Sequence, residues 1–268
     1  MSGRVEGKVV LVTGAARGMG RSHAVRLAEE GADLILVDIC APVDNVPYPM
    51  SAKEDLEETA AQVRALGRRV NAAVLDVRDG AQLAEFTAAS ASELGGLDAA
   101  VANAGVLTSG TWDTTTGDDW RAVLDINLIG VWNTCVAAIP HLLERGGGSL
   151  VNISSAAGIK GNPLTTPYTA SKHGVVGLSK SLANELALNS IRVNTVHPTG
   201  VVTGMSAPAM HELIAGERQD LGPIYQNAMP VPVIDAVDVS NAVLYLVSDE
   251  SRYVTGTELT VDAGVTIR

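Results

Sequence analysis

Hydrophobic and polar positions along this chain fall into alternating blocks. Strand-length apolar runs recur at residues 9–12, 34–37, 70–75, 98–102, 150–153, 192–196 and 258–261. Between them, residues 18–30, 53–66, 82–94, 118–144, 167–188 and 237–247 carry helix-period patterns. Glycines punctuate the helix ends at Gly31, Gly67, Gly95 and Gly146. The first run, 9–12, is continuous rather than alternating, the mark of a strand buried on both faces. Strand–helix alternation with right-handed crossovers predicts an α/β fold. The expected architecture is a Rossmann-type doubly wound sheet of seven parallel strands with helices on both faces. No linker of domain-boundary character and no repeat interrupts it, so residues 1–268 are expected to form one domain. Two stretches break the rhythm. Residues 39–52 carry Pro42, Pro47 and Pro49, and residues 198–234, rich in Pro, Gly and Met, predict a loop with one or two short helices.

Composition narrows the picture. The chain has 268 residues, 46 % of them hydrophobic and 18 % charged, which is globular rather than disordered. Aromatics are only 3 %, so Ala, Val, Leu and Ile must build the core. A net charge of -11 argues against nucleic acid and against an anionic membrane surface. Cys40 and Cys135 make neither a disulfide framework nor a metal-ligand cluster, and no metal is expected. The short polar start, 1–8, carries no signal-peptide pattern, and no unbroken apolar run reaches membrane-spanning length. A cytoplasmic location is the expectation.

The first strand feeds Thr13-Gly14-Ala15-Ala16-Arg17-Gly18-Met19-Gly20, and a helix follows. Gly14, Gly18 and Gly20 suit a tight turn, close backbone approach and helix–strand packing, and the helix N-terminus offers free N–H groups to a pyrophosphate. Asp38 closes the second strand. An acid there accepts hydrogen bonds from both adenosine ribose hydroxyls and repels a 2′-phosphate, which selects NAD over NADP. Arg17 could instead meet a phosphate, and Asp38 could be a turn acid. Asp76 closes the third strand, for an adenine amino group or for the strand end alone. Asn103-Ala104-Gly105 follows the fourth strand, as a ligand-facing loop or an ordinary turn.

Tyr168 and Lys172 are four residues apart, one turn along a helix that begins after Pro167. A cation beside a phenol stabilises the phenolate and can turn a group of ordinary pKa near ~10 into a general base. Ser155, thirteen residues before the tyrosine, could hold a substrate oxygen against it.

With these residues together, the whole chain resembles the short-chain dehydrogenase/reductase family. The likeness rests on the glycine loop, Asp38, Asp76, Asn103 to Gly105, Asn127, Ser155, Tyr168, Lys172, Pro198 and Thr203. It implies a tetrad in which Tyr168 is the acid/base and Lys172 lowers its pKa and holds the nicotinamide ribose. Ser155 would orient the substrate oxygen, and Asn127 would support a water relay to the lysine. It further implies NAD contacts from Gly14, Arg17, Gly18, Met19, Gly20, Asp38, Ile39, Asp76, Val77, Asn103, Ala104, Gly105, Tyr168, Lys172, Pro198, Val201 and Thr203. A homotetramer built on the helices at 118–144 and 167–188 is implied as well; bottom-up, Ala170, Gly174 and Gly177 would permit close packing between subunits or against their own sheet.

The chain departs from the common pattern at Ala102, at Thr199 and in an insertion near 40–52. The insertion and His197-Pro198-Thr199 are similar to the carveol-dehydrogenase-like, mycofactocin-coupled members, which implies tightly held NAD and mycofactocin as electron acceptor. The insertion either covers the cofactor or is a surface loop. A lid near 204–232, with Met205, Pro208, Met210, Leu213, Ile214, Leu221, Ile224, Tyr225 and Met229, predicts a hydrophobic, alicyclic, terpenoid- or steroid-sized secondary alcohol. Trp112 and residues 106–109 are expected opposite, with His211 solvated on the lid. The alternatives are a redox-neutral epimerase or dehydratase on the same fold, and a non-catalytic nucleotide sensor.

Overall fold

The computed structural model describes residues 3–268. Strands β1 (Val9–Thr13), β2 (Asp33–Asp38), β3 (Val70–Val74), β4 (Ala99–Ala102), β5 (Gly148–Ile153), β6 (Ile191–Pro198) and β7 (Glu258–Val261) form one sheet. It has seven parallel strands in the order β3-β2-β1-β4-β5-β6-β7. Every residue of β1, β2 and β4 is buried, as their unbroken apolar pattern requires.

One face packs α1 (Gly18–Glu29), α2 (Lys53–Ala65) and α8 (Ala236–Val247) through Leu27, Leu56 and Val243. The other packs α3 (Gly80–Leu94), α5 (Gly130–Arg145) and α6 (Thr166–Leu186) through Leu83, Cys135 and Val175. Strand order reverses between β1, which pairs with β2 on one side, and β4 on the other. A crevice therefore opens at the carboxyl ends of these strands, where a doubly wound sheet binds its ligands.

The expected helix at 118–144 is not uniform. It runs as α4 (Gly117–Leu124), a π turn (Asp125–Ile129) and α5. The whole stretch is by length and composition long and apolar enough to cross a membrane, yet half of its apolar window is buried within the fold. The expectation from apolar runs alone missed this, because the stretch is apolar on average rather than unbroken.

The insertion between β2 and α2 is a strap across the crevice rather than a loop in solvent. Val43, Tyr48 and Ser51 turn inward and are buried, while Pro42, Asp44, Asn45 and Pro47 face out. Asn45 takes φ 65, a left-handed turn that asparagine tolerates. Three bonds fasten the strap. The Ser51 hydroxyl donates to Asp38 Oδ1 (2.6 Å), the Arg17 guanidinium donates to the Pro49 carbonyl (2.6 Å), and the Leu107 N–H donates to the Tyr48 hydroxyl (2.9 Å). Val43 joins Val77, Val106, Val123 and Ile126 in a small apolar cluster of its own.

Arg17 also reaches the far wall, since a Cβ on Gly204 would lie 2.6 Å from its guanidinium. Replacing Arg17 by Met keeps an apolar stem and removes the guanidinium that holds the Pro49 carbonyl. Amide exchange over residues 40–52 should then quicken by roughly tenfold or more, as loss of a charge-assisted hydrogen bond allows, with β1 to β4 unchanged. Exchange equal to wild type would show that the arginine does not hold the strap.

Candidate active site and dinucleotide cleft

The crevice forms a cleft of about 810 Å³, counting its open mouth. Gly14, Arg17, Gly18, Met19, Gly20, Asp38, Ile39, Asp76, Val77, Asn103, Ala104, Gly105 and Thr203 all line it, as expected of dinucleotide contacts. Tyr168, Lys172, Pro198 and Val201 are not among its lining residues. Pro198 ends β6, and Val201 bridges to Ile234 at the root of the lid. Val106 and Gly204, expected at the substrate side, line the cleft too, as do Val43, Tyr48, Met50, Ser51, Leu75 and Ile126, to which the sequence assigned no contact. Four of these last six belong to the strap; its inward apolar residues were the available signal.

The glycine loop is built for close approach. Gly14 sits at φ +65, and a Cβ on Gly20 would fall 1.9 Å from the Gly14 carbonyl oxygen. Arg17 caps α1 with no side-chain hydrogen bond, so the first-turn N–H groups stay available to an anion. Asn103 donates through Nδ2 to the carbonyls of Thr13 (3.0 Å) and Gly14 (3.1 Å), while its buried Oδ1 has no partner among the described residues. A bare-backbone cradle, an uncapped helix start and a free amide oxygen fit a dinucleotide.

Asp38 is 7 % exposed and accepts from the N–H groups of Ala16 and Cys40 as well as from Ser51. No basic residue adjoins it in β2 or the strap, which fits a ribose with free hydroxyls rather than a 2′-phosphate. Asp76 is held by Arg78, whose Nε donates at 2.7 Å.

The second constellation stands beside the cleft. Pro167 starts α6 with its fixed φ, placing Tyr168 in the first turn and Lys172 one turn on. Lys172 is buried and lies 5.5 Å from the centre of the Tyr168 ring. Its Nζ donates to the Ile153 carbonyl at 2.9 Å. Burial pushes the Lys172 ammonium down to about 8 and the Tyr168 phenol up, the latter opposed by a hydrogen bond from Ser155. Desolvation disfavours both charged forms, and the Ser155 hydrogen bond acts against it at the phenol.

Ser155 leaves β5 and caps a short 3₁₀ turn, its Oγ accepting the Ala157 N–H at 3.1 Å. His197, fully buried, fixes this corner. A carbonyl only accepts, so the 2.8 Å contact to the Ser155 oxygen places a proton on Nδ1, and burial keeps the ring neutral. Nε2 then accepts from Thr195 at 2.7 Å. The sequence reading used His197 only as a mark of resemblance.

Asn127 lies in the π turn and is fully buried. Its Oδ1 accepts the Val106 N–H (2.8 Å), and its Nδ2 donates to the Val106 carbonyl (2.8 Å) and to Ser171 Oγ (3.2 Å). The amide clasps the loop after β4. A Cβ on Gly105 would lie 3.4 Å from its Oδ1 and 3.6 Å from Lys172 Nζ, so only a small residue fits between them.

The lid comprises α7 (Pro208–Ala215) and a 3₁₀ turn (Gln219–Tyr225), neither of which has a fully buried residue. Its base is tied down. Lys160 donates to the carbonyls of Ile224 (2.7 Å) and Val265 (2.8 Å), and the Tyr225 hydroxyl donates to the Pro163 carbonyl. Met205 lines the cleft. The other eight expected lid residues, from Pro208 to Met229, do not, nor do Trp112 and residues 107–109; Met229 is 60 % and Trp112 91 % exposed. His211 is exposed on α7, as expected.

A family model described as enoyl-(acyl carrier protein) reductase matches residues 14–266. The (-)-trans-carveol dehydrogenase of Rhodococcus erythropolis is 47 % identical over 276 aligned positions, covering 99 % of each chain. A solved short chain dehydrogenase from Mycobacterium paratuberculosis bound to NAD superposes with a TM-score of 0.97 at 45 % identity, over 99 % of this chain and 100 % of that one. Carveol dehydrogenase from Mycobacterium avium in complex with NAD gives a TM-score of 0.93 at 48 % identity, with the same coverage. The likeness runs along essentially the whole chain, and the chain belongs to the short-chain dehydrogenase/reductase family.

Proposed function

We propose that this protein is an NAD-dependent dehydrogenase that interconverts a hydrophobic, alicyclic secondary alcohol and its ketone. The observation that carries the reading is the convergence of Ser155, Tyr168 and buried Lys172 beside a cleft lined by the glycine loop and Asp38. Similarity to carveol dehydrogenases supports the substrate class. In oxidation, the Ser155 hydroxyl holds the substrate oxygen and the Tyr168 oxygen takes its proton. Lys172, anchored on Ile153, sits where it can hold a ribose hydroxyl and pass the proton outward. Bound NAD supplies the acceptor for the hydride that leaves carbon. An intact serine, tyrosine and lysine set weighs against a nucleotide sensor, and net oxidation of substrate separates this reading from a redox-neutral enzyme.

We further propose that NAD stays bound between turnovers and that mycofactocin takes the electrons onward. The three bonds that fasten the strap support retention. We also propose a homotetramer. Ile129, Trp132, Val136 and Leu143 repeat at near-heptad spacing on one face of the π turn and α5, each about two-fifths exposed or more. Of the small residues expected to serve subunit packing, Gly177 faces open space, whereas a Cβ on Gly174 would meet the chain's own Leu128 at 3.0 Å.

With alicyclic secondary alcohols and an artificial dye acceptor, turnover should exceed that with small charged hydroxy acids by roughly a hundredfold, the worth of a few buried methylenes. NAD should be released on denaturation of the purified protein. Preference for charged hydroxy acids would sink the substrate class; an empty site with fast turnover on added NAD would sink retention.

Alcohol oxidation should rise with pH as Tyr168 loses its proton, and ketone reduction should fall over the same range. The Ser155 bond lowers the phenol's pKa, so Ser155→Ala should move the oxidation limb to higher pH and cut kcat/KM by about 10²-fold. An unmoved limb in the pH–rate profile would remove Ser155 from the site. Trp132→Arg combined with Val136→Asp should reduce the tetramer to smaller species in light scattering after gel filtration; an unchanged mass would place the interface elsewhere.

A further inference from the structure

Tyr48 stands out among the strap residues. It is 8 % exposed, although it lies between exposed Pro47 and Pro49. Its ring lines the same cleft as Gly14, Asp38, Gly105 and Val106. The strap's two neighbouring anchors mark out a direction. Ser51 ends on Asp38, at the adenosine end of the cleft, and Pro49 on Arg17 in the glycine loop. Tyr48 comes next along the strap and reaches the loop after β4, where its oxygen takes the Leu107 N–H. That loop leads from Gly105, the residue that borders Lys172 Nζ. The strap thus runs along the cleft from the adenosine end toward Tyr168.

The hydrogen bonding of this phenol is half used. A tyrosine hydroxyl donates once and also accepts. At Tyr48 the oxygen accepts from Leu107, and no group among the described residues receives its proton. Burial pushes this phenol up to about 12, with Tyr168 adding to the rise and the Leu107 N–H opposing it. Tyr48 therefore stays protonated across the working range and is a donor, never a base. The influence of Tyr168 also places the two phenols within electrostatic reach of each other.

We propose that Tyr48 is a cofactor-binding residue, donating its hydroxyl proton to an oxygen of the nicotinamide-ribose half of the dinucleotide. The strap thereby reads the cofactor chemically instead of only covering it. This rests on the assignment of the cleft to NAD. A plain packing role for Tyr48, plugging the cleft and pairing Leu107, is the competing account, and truncated ligands separate the two.

Tyr48→Phe keeps the ring and loses the hydroxyl. Its affinity for NADH, measured by fluorescence titration or, where exchange is slow, by the rate of NADH loss on dilution, should fall about tenfold relative to wild type. Its affinity for ADP, which lacks the nicotinamide-ribose half, should stay within twofold. KM for the alcohol at saturating cofactor should also stay within twofold. Equal losses for NADH and ADP would overturn the proposal in favour of a strap that merely packs. Unchanged NADH affinity would overturn it outright, and a raised alcohol KM with intact NADH binding would turn the hydroxyl toward the substrate instead. Should wild type bind no NADH, the assignment of the cleft falls and this proposal falls with it; tight NADH in both proteins defeats this proposal alone. A melting curve for Tyr48→Phe within a few degrees of wild type confirms that the comparison is made on folded protein.

Discussion

The start of α1 lies so close to the end of β1 that no side chain fits between them. Only hydrogen at Gly20 leaves room for the Gly14 carbonyl 1.9 Å from where a Cβ would stand. That contact lets the helix begin at the sheet's edge with its first N–H groups unclaimed. It also fixes the height of Asn103, whose amide spans from β4 to the Thr13 and Gly14 carbonyls. The cleft floor is thus backbone from two strands on either side of the strand-order reversal. A larger residue at the contact would lift the helix, and Asn103, Gly105 and Asn127 would lose their common register.

Upon that floor stand two covers of different character. The strap is short, fastened at three points and has buried side chains of its own. The lid is longer, its helices bury no residue fully, and its firm attachments lie at its base. Local stability follows burial and bonding, so the lid opens more readily than the strap. Arg17 lies between them, bonded to Pro49 and crowding Gly204. One cover is suited to holding a cofactor in place and the other to admitting a substrate.

Much of this was legible in the chain. The central strands follow from unbroken apolar runs, because a strand buried on both faces has no polar alternative to offer, and the edge strands from their place in the strand–helix alternation. The glycine loop and Asp38 were legible because their chemistry is local. What escaped was non-local. The π turn at Asp125–Ile129 has no periodic signature, since Asn127 is placed by Val106 and Ser171 from elsewhere in the chain. The strap's inward residues could be seen as apolar, but not that Tyr48 would meet Leu107. Trp112 was assigned inward on hydrophobicity alone, and its turn carries it into solvent.

The electrostatics of the acid/base pair could not be read from spacing either. A spacing of four residues from Tyr168 to Lys172 suggests a cation that eases the phenol's ionisation. Burial acts against it, raising the phenol and lowering the ammonium together. Two groups that each disfavour charge in the same dry corner are weak acid and base toward one another. Positive charge arriving in the cleft would favour the phenolate, and an oxidised nicotinamide ring carries such charge. The Ser155 hydroxyl, on a residue whose carbonyl is held by the neutral His197, acts in that direction. The base is therefore latent in the free chain. Its activation belongs to the assembled site, which is why the strap that keeps the site assembled bears on the chemistry as well as on binding.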